Sequence, residues 1–193
     1  MTVKINADTT NGAVITSDTS GELELQAGGT KIATVKSTGL EMASGKNLYP
    51  SKVPAFLTTK ETDQTFSSST WTKVSFDDEQ FDTSSDYDPT TNYRYTPSVA
   101  GYYQVNYNVR INYSGAASDQ VFTTVRKNDV RIPIGQTIAN VTGNWGRYNA
   151  SGMIYMNGST DYLEVFVWAN HGSPFVQATS SYPSAFSAHL VSV

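Results

Sequence analysis

The sequence predicts an all-β protein built from antiparallel sheets, and three observations carry that expectation. The stretch Tyr103–Tyr113 alternates strictly, with Tyr103, Val105, Tyr107, Val109, Ile111 and Tyr113 on one face. Gln104, Asn106, Asn108, Arg110 and Asn112 fall on the other. Successive strand side chains point to opposite sheet faces, so this is the pattern of a half-buried strand. Composition agrees: of 193 residues 12% are aromatic, twelve of them Tyr, and only 16% are charged. β-formers and Ser, Thr and Asn therefore dominate. No segment combines helical periodicity with helix caps.

Residues 1–52 and 53–193 read as two domains. The first is punctuated by Gly12, Gly21, Gly28, Gly29, Gly39 and Gly45. Between them lie short alternating pieces such as Val3-Lys4-Ile5, Ala13-Val14-Ile15, Leu23-Glu24-Leu25, Lys31-Ile32-Ala33 and Leu40-Glu41-Met42. Pieces this short build no core of their own, and chains below about 40 residues generally need outside support. The segment is expected to form a β stalk and trimerisation segment, burying Leu23, Leu25, Ile32, Val35, Leu40 and Met42 between copies of the chain. Pro50 and Pro54 mark the junction.

In the second domain strands are expected near residues 54–58, 71–76, 101–113, 120–127, 130–134, 147–156, 161–169 and 185–193. Asn128-Asp129 supplies a tight turn, and Asn157-Gly158-Ser159-Thr160 another. Eight antiparallel strands with such turns suit a jelly-roll sandwich. The 161–169 strand is apolar on both faces, Leu163, Val165 and Val167 against Tyr162, Phe166 and Trp168. Met153, Ile154, Tyr155 and Met156 follow in succession. A lone sandwich covers one face of each sheet, so these strands predict a further covering surface.

Upstream of the long strand, five residues separate Phe76 from Asp82 and four separate Asp82 from Tyr87. Tyr95 follows, and five residues later Gly101 opens Gly-Tyr-Tyr-Gln-Val-Asn-Tyr. This series resembles the signature of the complement component 1q-like globular domain, in the tumour-necrosis-factor-like jelly-roll superfamily. The chain departs from that pattern by one extra residue before Tyr95, by Tyr95 itself in place of Phe, and by Val105 in place of a second Phe. Pro54-Ala55-Phe56 looks like the first strand of that family. Asp161–Val165 looks like its Gly-Asp-x-Val strand with Thr160 for Gly, and Phe186–Val191 like its closing strand with Ala188 for Gly. The resemblance covers residues 53–193 and implies an eight-stranded antiparallel jelly-roll head assembled as a homotrimer. It also implies an inner sheet of the first, third, sixth and eighth strands, with the sixth facing the threefold axis. The Gly-separated series from Gly21 to Leu48 is similar to segments of phage tail-fibre and neck proteins.

A net charge of −4 argues against non-specific nucleic-acid binding, which needs a basic surface. No apolar run reaches the roughly 20 residues that span a bilayer, so no membrane insertion is expected. The start of the chain lacks a signal-peptide core, and Cys is absent. These features fit a protein made in the cytoplasm that acts outside its cell of origin, and the expected location is a phage virion, in a tail or fibre. The N-x-S/T sequences at Asn112, Asn140, Asn149 and Asn157 are expected to carry no glycan.

The residues point away from catalysis. The two His, His171 and His189, stand in a predicted loop and a predicted strand. There is no G-x-S-x-G elbow, no thiol and no His-x-x-x-His pair. The acidic series Asp77, Asp78, Glu79, Asp82, Asp86 and Asp88 matches no calcium-loop spacing and reads as a solvated turn. No enzyme activity, cofactor or metal is expected. The predicted function is that of a trimeric virion fibre or spike protein whose head binds a host-surface glycan or protein, alongside other virion fibre proteins. A structural trimerisation or capping module and a glycan-cleaving tail enzyme are the alternatives. Strand counting places the connections at 59–70, 114–119, 135–146 and 170–184 at the far end from the chain termini of the head. Exposed-type aromatics beside hydrogen-bonding groups there make Asn144, Trp145, Arg147, Asn170, His171 and Tyr182 the candidate receptor-binding residues.

Overall fold

The computed structural model describes residues 21–46, 53–115, 120–139, 143–178 and 183–193, leaving aside the side chains of 113–115, 137–139 and 143–144. The chain divides into two compact units between residues 51 and 52. In the first, β1 (Leu23–Ala27), β2 (Thr30–Lys36) and β3 (Gly39–Met42) form an antiparallel meander. Gly28 and Gly29 turn the chain between β1 and β2 at φ values of 58° and 71°, which Gly adopts without strain. The register aligns Leu23 with Val35 and Val35 with Leu40, then Leu25 with Ala33 and Ala33 with Met42. Directly opposed residues share a face, so these six apolar side chains lie on one side, whereas Ile32, expected among them, is the unpaired extra residue at the register shift between β1 and β2. The other side carries charge, with Lys36 paired to Glu22 at 3.7 Å and to Glu41.

Among its described residues the second unit, the head, contains thirteen strands. They are β4 (Ala55–Thr59), β5 (Gln64–Thr65), β6 (Thr72–Lys73), β7 (Asp78–Asp82), β8 (Tyr87–Asp88), β9 (Arg94–Tyr95) and β10 (Ala100–Gly115). Then come β11 (Gln120–Lys127), β12 (Val130–Ala139), β13 (Gly143–Asn157), β14 (Leu163–Ala169), β15 (Phe175–Val176) and β16 (Ala185–Ser192). One sheet runs β5-β15-β10-β16-β4-β7, with β13 paired along β10. The other runs β12-β11-β14-β9-β8, with β6 on β14. Every pair is antiparallel, and the fold is a jelly-roll sandwich. The strands β4, β10, β13 and β16 share one sheet, as the family resemblance implies.

The core fills the space between the sheets. The alternating side of β10 points inward, with Tyr103, Val105, Val109 and Ile111 fully buried. Val121, Val125, Leu163, Val165 and Val167 meet it from the other sheet. At one end Phe56 stacks on Tyr95 at 4.3 Å and on Tyr87 at 5.0 Å, and meets the edge of Phe186 at 5.0 Å. Tyr87 and Tyr95 belong to the spaced series, whose members each have a packing reason. Asp82 accepts the Tyr87 amide at 2.6 Å, and the Tyr87 hydroxyl donates to the Phe76 carbonyl at 2.9 Å. Gly101 sits at φ 155° where β16 shifts register, and a Cβ there would strike the Ser192 carbonyl and the Leu190 side chain.

Several boundaries differ from expectation. The 71–76 strand contracts to β6, whereas β12 and β13 extend well past 134 and before 147. Pairing with β11 and β10 holds the Gly135, Gly143 and Gly146 positions in extended ladders despite their loop-like residues, and Pro133 falls where the β11–β12 register shifts. The 77–100 stretch is no solvated turn. Asp77 accepts from Lys60 Nζ and the Glu61 amide, Asp86 from Ser98, and Asp88 from the amides of Thr90, Thr91 and Asn92. Its carboxylates staple the connection through Asx-type turns.

Asp161 does the same between strands, accepting from Lys127 Nζ at 2.7 Å, Asn128 Nδ2 at 2.7 Å and the Asn157 amide at 2.9 Å. Burial raises its pKa, but these donors outweigh it and hold the carboxyl below the usual range. The amides of Thr91 and Thr90 hold Asp88 low. Asp77 is also low, burial being outweighed by Lys60 and its neighbours. Folded values below the unfolded value of about 3.9 stabilise the head fully above about pH 5, and the stabilisation is lost as pH falls through the folded values. Asp86 works in the opposite sense, since burial raises it. Asp161→Ala should cost about 2 kcal/mol by leaving buried donors unmatched. It should also flatten the fall in stability between pH 5 and pH 2, roughly the range over which a depressed carboxylate titrates, measured by urea unfolding.

Candidate functional site

The outward face of the β10 sheet carries its exposed side chains in opposed rows, and they change character along the strands. Near the chain termini of the head Tyr102 faces Tyr155, ring centroids 5.4 Å apart, and Gln104 faces Met153. Tyr102, Met153 and Tyr155 are 53%, 61% and 48% exposed. A hydroxyl and amide belt follows. Gln104 Nε2 donates to Ser151 Oγ at 2.7 Å, and Ser151 Oγ donates to Asn106 Oδ1 at 2.8 Å. Further along, Arg147 Nη1 donates to Asn108 Oδ1 at 2.8 Å. In the last row Trp145 faces Asn112, which faces Phe175 on its other side. The Arg110 guanidinium lies 4.5 Å from the Trp145 ring centroid, and half of Trp145 remains exposed.

Trp145 and Arg147 thus stand in β13 rather than in a loop. They are held by a strand and a cation–π contact, which makes them a rigid platform. Asn144 shares that strand, with its side chain outside the described residues. Tyr182 lies outside the described residues altogether. Asn170 and His171 correct the expectation of an exposed loop pair. Asn170 Oδ1 accepts the Gln120 amide at 2.6 Å, tying the end of β14 to the start of β11. His171 is only 4% exposed, so its ring faces the protein and not a partner. His189 is exposed on the β10-sheet face opposite Gln104. Among the described residues no three metal-ligating side chains gather.

The second sheet carries an aromatic face that periodicity found without identifying what covers it. Phe166 lies under the Arg126 guanidinium at 3.9 Å and Tyr162 under Arg94 at 4.5 Å. Phe122 meets the Trp168 ring at 5.0 Å and Trp71 at 6.2 Å. The covering surface of Tyr162 and the outer face of β14 is therefore side chains of β9 and β11, with Trp71, just before β6, packed on Phe122. Arginines spaced along neighbouring strands were the readable signal, but only the register shows which ring each one meets.

No family model and no curated protein matches the chain. Solved structures do. The globular domain of zebrafish complement 1qA protein matches at 12% identity with a TM-score of 0.53, over 72% of this chain and 97% of that one. Murine APRIL matches at 9% identity with a TM-score of 0.52, over 72% and 100%. Eiger TNF from S. frugiperda matches at 12% identity with a TM-score of 0.50, over 73% and 94%. The head has the jelly-roll fold shared by complement 1q globular domains and tumour-necrosis-factor ligands.

Proposed function

We propose that the protein is a non-enzymatic homotrimeric attachment protein of a phage virion, whose jelly-roll head binds a glycan or protein on the host surface. The observation that carries this reading is the six-residue apolar face of the β1–β3 sheet. Leu25, Val35 and Leu40 on it are 43%, 40% and 51% exposed within one chain. A three-stranded sheet with one bare apolar face gains its missing layer from other copies of itself. The head offers a second such surface in Tyr102, Met153 and Tyr155 beside the long edge strand β13. An edge of this kind calls for covering. The Gly-punctuated first unit resembles phage fibre segments, which supports the virion setting.

For attachment the platform around Trp145 is the contact surface. It combines an exposed aromatic ring, a guanidinium and amides on rigid strands, the chemistry of an interface anchor. It lies at the end of the head away from residue 55 and the C-terminus, because β10 leaves that terminal end and β13 returns to it. Trp145→Ala should reduce host-cell binding at least tenfold with the oligomeric mass and melting temperature unchanged. Unaltered binding would leave a structural capping module as the better description.

A further inference from the structure

We infer that the outer face of the second sheet holds a separate binding site for an acidic saccharide, in the groove between Trp71 and Trp168. The groove has a volume of about 410 Å³ and is lined by Trp71, Gln120, Phe122, Arg131 and Trp168. Its residues come from β11, β12 and β14 and from Trp71, immediately before β6. The register explains their meeting: Phe122 opposes Trp168 directly, and β6 pairs with the same stretch of β14 from the other side. Trp71 therefore closes the groove against Phe122 and Trp168.

Charge selects the ligand. The guanidinium carbons of Arg126 and Arg131 each lie 5.4 Å from the Trp71 ring centroid, so two cations converge on one ring. Among the described residues neither has a carboxylate within 4.0 Å. The nearest opposed acid, Glu164, faces Arg126 across the ladder but pairs with Lys73 at 3.0 Å. Arg126 Nε is buried without a hydrogen-bond partner. Two unneutralised guanidiniums side by side repel, and an anion between them relieves that repulsion. The chain as a whole carries −4, which makes this a local positive spot on an acidic protein.

The rings select a saccharide among anions. The apolar C–H face of a pyranose lies flat on an indole, and Trp71 and Trp168 offer two such surfaces. The Gln120 amide supplies a donor and an acceptor for hydroxyls. Arg131 is exposed and presents its planar fork to a carboxylate or sulfate. Single-stranded nucleic acid also combines stacking with anions, but it needs a basic track along the backbone, and the net charge opposes one. The groove lies in the sheet opposite the Tyr102–Tyr155 patch. The inference holds whether or not Trp145 contacts a host.

The test is tryptophan fluorescence titration of the full chain, since two of its three Trp line the groove. The probes are tetragalacturonate, a glucuronate-containing tetrasaccharide and sialyllactose, each against its neutral counterpart. At least one acidic probe should quench saturably, bind at least tenfold more tightly than its neutral counterpart and weaken with added salt. Arg131→Glu, on an exposed position, should lower that affinity at least tenfold. Trp71→Phe should lower it less. Absence of saturable binding to all three acidic probes overturns the inference, as does equal affinity in wild type and a folded Arg131→Glu. Tighter binding of a thymidine oligonucleotide that Arg131→Glu abolishes would also overturn it, in favour of a nucleic-acid groove.

Discussion

Phe186→Ala is expected to remove about 4 kcal/mol of stability, within the range for deleting a buried aromatic side chain. Phe186 is fully buried, with its ring 5.0 Å from Phe56, 5.8 Å from Phe76 and 6.3 Å from Tyr87. It joins the last strand of the chain to the first strand of the head and to the 77–100 connection. Truncation therefore empties a volume that three separate segments border, and none can move in without breaking its own ladder. Aromatic pairs also contribute beyond their buried area, by about 1 kcal/mol each. Domains are stable by only about 5–15 kcal/mol, so the variant should sit near its unfolding threshold at 37 °C. Urea denaturation followed by tyrosine and tryptophan fluorescence reads the change. A loss below about 1 kcal/mol would show that the aromatic cluster does not anchor the head.

The second large effect concerns assembly. Val35→Asp, Met153→Asp and Tyr155→Asp together should convert the protein to a monomer at micromolar concentration. Each position is exposed within one chain, at 40%, 61% and 48%, so the charges cost the isolated fold little. Buried between copies, each unpaired carboxylate would cost several kcal/mol, and association should weaken by at least about a thousandfold. Sedimentation should show a single-chain mass with the urea midpoint of the head nearly unchanged. A persistent oligomer would place the interface elsewhere.

Much of the fold was legible because the head obeys period two where it matters. The inward row of β10 and both faces of β14 were read directly from alternation, and Asn128-Asp129 turns with φ of 51° and 63° as such a pair should. The spaced series from Phe76 to Gly101 marks packing and turn positions, so spacing alone carried it. The misread parts share a cause. Gly135, Gly143 and Gly146 have turn-like local preferences, and only their ladder partners on β11 and β10 hold them in β12 and β13. For the same reason Trp145 read as a loop residue although it is a strand residue. The acidic series read as solvated because no local rule shows that Asp77 reaches back to Lys60.

The candidate site was legible in residue type more than in place. Trp145 beside Arg147 stood out as an exposed-type aromatic with a donor. The burial of His171 was hidden, because a Gly-Ser-Pro neighbourhood suggests an open loop, whereas the 170–178 segment packs back through β15 onto β10. The arginine–aromatic face of the second sheet went unread as a site. Its members, from Trp71 to Trp168, are brought together only by the pairing of β6, β11 and β14.

Multi-angle light scattering of the full chain at micromolar concentration tests the proposed trimer most directly. The bare apolar face of the β1–β3 sheet and the Tyr102–Met153–Tyr155 patch predict one species of three times the chain mass, stable to dilution. A monodisperse particle of single-chain mass, folded and soluble, would contradict it.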